Sequence, residues 1–458
     1  MQENKMGTMP VHRLLITMSV PLMISMLVQA LYNIVDSMFV AMINEDALTA
    51  VSLAFPMQNL MIAVATGTGV GVNALISRRL GQKQQEMANR TANNAIFLAI
   101  CSYIVFLLIG IFASTAFMRA QAGGSERIIE YGSTYLRIIC ILCFGMYGQI
   151  VMERLLQSTG KTMYTMITQS LGAVINIVMD PMLIFGIGPF PELGVAGAAY
   201  ATVFGQMVAM ILAFIFNRKV NKELTLSLRM MKPDPQIIRD VYMIGIPSIL
   251  MVSISSVMTF TMNKILIQFS STATAVFGVY YKLQSFVFMP LFGMNNGMVP
   301  IIGFNFGAGH KDRILKTHKI AMVYSCIFMW TGFALFELIP VRLLGLFSAS
   351  SQMIEIGVPA LRWMSLAFLI AGFSVVTVSL FQALGKGIYS LIISAARQLL
   401  ALLPLAYVLS LTGNLDLVWL SLPLAEVVSA VVTLCLYIKL RKKLDGMMAE
   451  TASQRKAV

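Results

Sequence analysis

Five polar residues inside apolar stretches of the sequence are its strongest candidates for chemistry. Asp36 lies in LYNIVDSMFV with Asn33 three residues before it, and Asn176 and Asp180 lie in VINIVMDPML. In a helix, residues three or four positions apart share a face. Counting about 1.5 Å per residue from Arg13 to Asp36 and from Lys161 to Asp180 brings both acids to a similar depth. Thr202, ten residues after Glu192 on a helix that runs in the opposite direction, falls at a comparable depth. Ionisable groups cost several kcal/mol in such surroundings and therefore indicate a function.

Two kinds of chemistry fit this set. Carboxylate, amide and hydroxyl oxygens are hard ligands for a small cation, so Asp36, Asn176, Asp180 and Thr202 could hold Na⁺. Alternatively, two close carboxylates could share a proton, because their mutual repulsion favours one protonated group. Pro181 removes a backbone donor next to Asp180 and permits a kink there. The alternative without function is that both carboxylates only hydrogen-bond between helices.

The second half of the chain has different ionisable residues. Lys282 and Glu426 each lie about ten residues from the predicted outer ends of their helices. They could form a buried ion pair, which we favour, or line a substrate cavity. The remaining charged residues in or beside apolar stretches are interpreted as interfacial or structural, namely Glu153, Arg154, Lys264 and Arg397. The three histidines fall in predicted loops or at a helix end, which argues against a histidine proton relay through the membrane.

The elements that carry these residues are predicted to be membrane-spanning helices. The chain is 58% hydrophobic and 12% charged, whereas soluble domains have roughly 45–50% and about 25%. Stretches of the length that a bilayer requires recur throughout. The predicted helices 1 to 12 cover 14–43, 47–76, 91–118, 131–156, 162–187, 193–217, 241–269, 272–302, 318–344, 358–381, 388–411 and 416–438. The fold class is therefore an all-α polytopic membrane protein.

The basic residues predict the orientation of these helices. The net charge is +13, and with the N-terminus inside, 24 of the 33 Lys and Arg residues fall in inner segments, including Lys222, Arg229 and Lys232. By the positive-inside rule, both termini are cytoplasmic and the protein is a multi-pass protein of the plasma membrane. The basic excess is thus explained by topology, and nucleic-acid binding is not predicted.

The chain also contains an internal repeat. At an offset of 226, Pro21, Gln58 and Gly81 match Pro247, Gln284 and Gly307; farther on, Gly160 and Lys161 match Gly385 and Lys386 at an offset of 225. Six helices separate the copies, so both halves enter the membrane in the same direction and are related by an axis along its normal. We predict a six-helix N-terminal lobe (N-lobe, 1–218), a cytoplasmic linker (219–236), a six-helix C-terminal lobe (C-lobe, 237–445) and a cytoplasmic tail (446–458).

No cofactor is expected. The five cysteines lie in apolar stretches without zinc-ligand spacing, and the sequence has no phosphate-binding G-x-x-x-x-G-K-[ST] loop. Two functional classes disagree with these observations. An enzyme would need a nucleophile with a base, or a set of metal ligands, at one depth in the membrane, and the sequence shows neither. A channel would need a selectivity filter, for which the sequence has no candidate segment.

Several segments together resemble the multidrug and toxic compound extrusion (MATE) family. They are SVPLMISMLVQALYNIVDSMFVAM, AVATGTGVGVNALISRRLGQ, LLQSTGKTMY, VINIVMDPMLIFGIGPFPELGVAGAAYATVFGQ and MPLFGMNNGMVPIIGFNFGAGHKDRI. PIIGFNFGA is similar to the MepA-like subgroup. In DinF-like members, groups similar to Asp36, Asn176, Asp180 and Thr202 are implicated in Na⁺ or H⁺ coupling. Some members use acids in helices 7 and 10; this chain lacks them, so a second ion site in the C-lobe is not expected.

This resemblance implies a secondary antiporter that exports organic cations and other drugs by alternating access, coupled to Na⁺ or H⁺ influx. Its expected partners are small-molecule drugs and the lipid bilayer, and we expect a monomer. The rival hypothesis is a flippase for lipid-linked oligosaccharides or related lipids. An anionic headgroup would require a cationic cavity, whereas the predicted N-lobe cluster is acidic.

Overall fold

The computed structural model describes residues 4–122, 124–227, 230–347 and 350–456, with side chains described up to residue 450. Arg229, counted above among the inner basic residues, lies outside this part, as do the outermost residues of the predicted N-lobe and tail. Ten helices are long and apolar enough to cross a membrane, and two bent helix pairs bring the number to twelve if each pair is one span. The chain is a polytopic all-α membrane protein, as the sequence predicts.

We number the twelve spans α1 to α12. The first six are α1 (Val11–Ala41), α2 (Glu45–Gly81), α3 (Gln85–Phe112), α4 (Glu126–Ile141 and Phe144–Ser158), α5 (Thr162–Phe185) and α6 (Val195–Lys219). The second six are α7 (Pro235–Leu266), α8 (Ser271–Ala308), α9 (Lys311–Leu338), α10 (Ser351–Ser365 and Phe368–Ala383), α11 (Gly387–Ser410) and α12 (Leu415–Lys456). Short helices cover Lys5–Thr8, Ser114–Gln121 and Pro340–Gly345. We keep the names N-lobe and C-lobe for α1–α6 and α7–α12; the predicted lobe boundaries stay predictions.

Local structure repeats with the sequence. Asn44 caps α2 by accepting a hydrogen bond from the Ala47 amide at 2.8 Å, and Ser270, 226 residues later, caps α8 through the Ala273 amide at 3.0 Å. The helix pairs of α4 and α10 are bent by 46° and 50°. Each pair is followed by a glycine with positive φ, Gly160 or Gly385, where a side chain would be strained. Both halves therefore share one scaffold.

The linker between the lobes is fixed to α3. The side-chain oxygens of Asn89, Asn93 and Asn94 accept hydrogen bonds, each at 2.9 Å, from the backbone amides of Thr225, Ser227 and Asp234. Asp234 in turn caps α7. We call the face that holds residues 4–8 and the linker the linker face, and the other the opposite face.

The two lobes pack closely near the linker face. A Cβ atom at Gly81 of α2 would overlap the carbonyl oxygen of Phe304 in α8, and one at Gly307 would overlap the carbonyl oxygen of Arg78. The two contacts are equivalent, since 81 and 78 become 307 and 304 at the repeat offset. Farther from the linker face, Asn59 Nδ2 donates to Ser256 Oγ at 3.0 Å.

The start of α1 packs into the C-lobe. Leu14, Leu15 and Met18, together with Met6, are buried in the same apolar cluster as C-lobe residues such as Phe306. A second cluster occupies the N-lobe and contains residues of α2, α3 and α4. Helix α1 therefore joins the C-lobe core at the linker face to the polar residues of the N-lobe near the opposite face.

Candidate functional site

Helices α1, α5 and α6 bring the predicted polar cluster together near the opposite face. With its amide nitrogen toward Asp180, Asn176 donates to Asp180 Oδ2 at 3.2 Å. Its oxygen accepts from Thr202 Oγ1 at 3.2 Å and from the Thr202 amide at 3.1 Å. Asp180 is fully buried, and Asn176 and Thr202 are nearly so. The glycines that bring α5 and α6 close include Gly205, where a Cβ would meet the Gly172 carbonyl oxygen at 2.6 Å.

The carboxyl groups of Asp36 and Asp180 are within hydrogen-bonding reach of each other. Yet Oδ1 of each is buried without a hydrogen-bond partner. Two carboxyl groups in contact need a proton or a cation between them, because two adjacent negative charges repel. The site therefore has unused acceptor atoms where a small cation or proton would bind.

Two tyrosines near this pair were not identified from the sequence. Tyr32 and Tyr135 lie close enough to Asp36 and Asp180 to interact electrostatically with both, and Tyr135 hydrogen-bonds Gln58. Tyrosine is common in membrane helices, so residue type and spacing gave no signal. Asn33, a sequence candidate, is exposed, in contrast to the buried Asn176, Asp180 and Thr202.

A cavity of about 140 Å³ extends through the N-lobe from this cluster. Tyr32, Gln58, Asn176 and Thr202 line it, and toward the linker face it reaches Glu153 and Arg154. Six glutamines also contribute to its lining: Gln29, Gln58, Gln149, Gln157, Gln169 and Gln206. The cavity therefore offers amide donors and acceptors along its length, with the carboxyl group of Glu153 among its lining residues.

Glu153, interpreted from the sequence as an interfacial or structural residue, also lines the cavity. It is buried, and its Oε1 accepts hydrogen bonds from Gln149 at 3.0 Å and from Thr168 at 2.9 Å. Its neighbour Arg154 donates to Gln157 at 2.8 Å and, across the interface between the lobes, to Asn296 at 3.1 Å.

The C-lobe has another charged pair than the one favoured from the sequence. Glu426 Oε2 lies 3.3 Å from Nη1 of Arg397, while Nζ of Lys282 lies 5.9 Å from the centre of the Phe347 ring. The expected Lys282–Glu426 pair is therefore replaced by Arg397–Glu426. Arg397 lies in the π-helical segment Ala396–Leu402 of α11, and its pairing neutralises the buried carboxylate.

A duplicated six-helix bundle with a polar cluster and a cavity in one lobe defines a secondary transporter architecture. The model of the family described as MatE matches residues 21–182 and 247–408, the two halves of the repeat. The chain therefore belongs to the MATE family, whose members are transporters rather than enzymes.

Individual relatives are similar over nearly the whole chain. Multidrug export protein MepA of Staphylococcus haemolyticus (strain JCSC1435) is 27% identical over 428 residues, which cover 93% of each chain. MepA of Staphylococcus aureus (strain MRSA252) is 25% identical over 438 residues and 95% of each chain.

Solved structures confirm the fold. A structure described as the outward-facing conformation of a multidrug resistance MATE family transporter of the MOP superfamily has a TM-score of 0.90 and 25% identity, over 98% of this chain and 99% of that one. A MOP superfamily transporter from Pyrococcus furiosus, described as having a binding pocket of reverse polarity that suggests a different function, has a TM-score of 0.87 and 26% identity over the same shares.

Proposed function

We propose that this protein is an antiporter that exports organic cations and other drugs, driven by Na⁺ or H⁺ that binds at Asp36 and Asp180. The observation that carries the proposal is the contact between these two carboxyl groups, each with a buried Oδ1 that has no partner. Such a site requires a cation or proton. The names of the MepA relatives support drugs as the exported compounds.

The residues fit a small cation. Asp36 Oδ1 and Asp180 Oδ1 are free of hydrogen bonds, whereas the Asn176 oxygen is bound by Thr202 and the Asn176 amide nitrogen faces Asp180. Oxygen atoms of this kind bind hard cations such as Na⁺. A proton shared by the two carboxyl groups would satisfy the same atoms, so the coupling ion has to be determined by experiment.

The contact between the lobes near the linker face supports export by alternating access. The lobes are in contact near the linker face, and the structure is similar to one described as outward-facing. A cation that enters from the opposite face reaches the Asp36–Asp180 pair first. The bound cation neutralises negative charge that attracts a cationic drug, and the drug does the same for the cation, so binding of one weakens binding of the other. The drug then leaves to the outside. The flippase alternative is less favoured because the described lining of the cavity balances Arg154 with Glu153.

Dye efflux from proteoliposomes tests this function directly. A Na⁺ gradient and a pH gradient are imposed separately on vesicles that contain the purified protein. Efflux driven by one of them is expected, and it identifies the coupling ion. Efflux under neither gradient, with movement of a labelled lipid instead, would favour the flippase.

The orientation is part of the proposal, with the linker face in the cytoplasm. Cysteines introduced at the exposed residues Lys232 and Lys316 of the linker face should resist an impermeant thiol reagent in intact cells, whereas one at Ala120, on the opposite face, should react. The unmodified protein, with its five native cysteines, serves as the background. Labelling of Lys232→Cys and Lys316→Cys with protection of Ala120→Cys would reverse the orientation.

A further inference from the structure

A second cavity of about 420 Å³ lies at the linker face, away from the Asp36–Asp180 site. It is formed where the N-terminal helix Lys5–Thr8, the turn between α4 and α5, and the start of the linker meet. The side chains that matter for its chemistry are Lys5, Thr17, Lys161, Thr162, Tyr164 and Glu223. The transport cycle proposed above does not use these residues.

Positive charge predominates in this cavity. Lys161 Nζ lies 3.1 Å from Glu223 Oε2, which leaves Lys5 without an ion pair among the described residues. Burial lowers the pKa of Lys5, the nearby charge of Lys161 lowers it further, and Glu223 offsets part of this effect. A bound anion would stabilise the charged form of the partly buried Lys5 beside the positive charge of Lys161.

The start of α5 adds to the attraction for an anion. Helix α5 begins at Thr162, and no side chain caps its first turn. The first backbone N–H groups of α5 therefore have no side-chain acceptor, and they lie beside the two lysines. Thr162 and Met163 both line the cavity, so a phosphate there would meet ammonium groups, hydroxyl groups and the positive end of a helix.

The cavity adjoins a surface that faces lipid. Moving from the cavity toward the membrane centre, α1 exposes Ile16 and Val20, and α5 exposes Met163 and Ile167. These apolar side chains belong to two membrane-spanning helices that pack against each other. A charged group in the cavity can therefore carry acyl chains that lie along α1 and α5, as in other basic pockets at the edge of a membrane.

The residues 4–8 that form one wall of the cavity are also bound to the C-lobe. Asn305 Nδ2 and Arg313 Nη2 each donate to the carbonyl oxygen of Met6 at 3.0 Å. Arg313 Nη2 also donates to the carbonyl oxygen of Met9 at 2.7 Å. One short segment thus places Lys5 in an N-lobe cavity while its backbone is held by α8 and α9 of the C-lobe.

We propose that this cavity binds the phosphate headgroup of an anionic phospholipid from the leaflet at the linker face. The bound headgroup bridges Lys5 and Lys161 and relieves their repulsion. Because Lys5 belongs to a segment held by the C-lobe, the lipid links the two lobes and stabilises the state in which the linker face is closed. Separating the lobes at this face then requires release of the headgroup or of residues 4–8.

Thermal unfolding of the purified protein in detergent tests the proposal. Added phosphatidylglycerol should raise the unfolding temperature more than phosphatidylcholine, because a ligand that binds only the folded state stabilises it. Lys5→Gln and Lys161→Gln should each lose most of this difference. Lys219→Gln is the matched control: it removes the same charge from an exposed position on the same face and should keep the full difference.

A variant that is expected to bind the lipid more tightly distinguishes loss of binding from loss of folding. Glu223→Gln removes the competing carboxylate, so it should lower the concentration of phosphatidylglycerol required for half of the maximum shift. Equal shifts in the wild type, both cavity lysine variants and Lys219→Gln would overturn the proposal. So would an equal shift caused by inorganic phosphate alone, which would identify the ligand as a free anion instead of a lipid.

Discussion

The N-lobe and the C-lobe share a scaffold but differ in their buried charges. At the repeat offsets, Asp36 of the N-lobe corresponds to Met262 and Asp180 to Leu405. The charged pair of the C-lobe, Arg397–Glu426, has opposite charges that neutralise each other, although Oε1 of Glu426 is also buried without a hydrogen-bond partner. The pair of the N-lobe consists of two acids and needs a proton or a cation between them. The two lobes therefore share their shape, whereas the paired acids that we propose to bind a cation lie in the N-lobe.

The largest effect is expected from the acids of the N-lobe. Asp36→Asn or Asp180→Asn should abolish gradient-driven dye efflux, because the amide removes the negative charge that the cation requires. Folding should be retained, since the substitution also removes repulsion between two buried acids. Efflux from proteoliposomes and size-exclusion chromatography measure the two properties.

Asp416→Asn provides the matched control for these variants. Asp416 is exposed at the start of α12 in the C-lobe, so the same change of charge should leave efflux intact. Normal transport in both N-lobe variants would show that the acid pair is only structural and would remove the functional difference between the lobes.

A smaller but measurable effect is expected on drug binding. The affinity for a fluorescent organic cation should fall as Na⁺ rises or as pH falls, by a factor between about 5 and 150 for a typical coupling free energy. The ion dependence should disappear in Asp36→Asn and persist in Glu426→Gln of the C-lobe. Fluorescence anisotropy at equilibrium measures both affinities. An affinity that neither ion changes would mean that coupling acts only on the rates of the conformational change.

In the C-lobe the expected effect is on stability. Glu426→Gln leaves Arg397 without its partner, which costs about 3–5 kcal/mol for a fully buried pair. The side chain of Arg397 is 32% exposed, so screening reduces the expected loss to about 2 kcal/mol. Arg397→Gln combined with Glu426→Gln should lose less than the sum of the single variants, as thermal unfolding of all four proteins would show. Additive losses would mean that the pair has no coupling energy.

The smallest difference between the lobes is expected in the loss of stability when the glycine of either equivalent contact is replaced. Gly81→Ala and Gly307→Ala each force a Cβ against a backbone carbonyl, and each should destabilise the protein by about 1–3 kcal/mol. Gly278→Ala is a control in α8, because its Cβ would meet no atom within 4 Å. A large effect at only one of the two interface glycines would show that the lobes are symmetric in shape but not in energy.

Apolar length and sequence repetition were sufficient to predict the twelve spans, but not where the helices end. Helix α7 begins at Pro235 instead of near 241, and α12 continues to Lys456 instead of ending near 438. Hydropathy marks the part of a helix inside lipid, whereas caps and polar helical turns beyond it decide the ends.

The candidate site could be predicted only in part, because the sequence does not show how each helix is rotated about its axis. Asp36 and Asp180 were conspicuous because acids are rare in apolar stretches. Tyr135 and Gln58 are ordinary residues whose nearness to the acids depends on how α2 and α4 are rotated. The partner of Glu426 could not be found from helical spacing either, because the π-helical segment changes the period of α11 around Arg397.

The packing of Met6 and Leu14 in the core of the C-lobe has a consequence for biosynthesis. Met6 and Leu14 are synthesised about 300 residues before their packing partner Phe306 and before the Asn305 side chain that binds the Met6 carbonyl. Contacts between residues this far apart in the chain form late and slowly. The segment from Met6 to Leu14 therefore cannot pack against these C-lobe partners until α8 has been inserted.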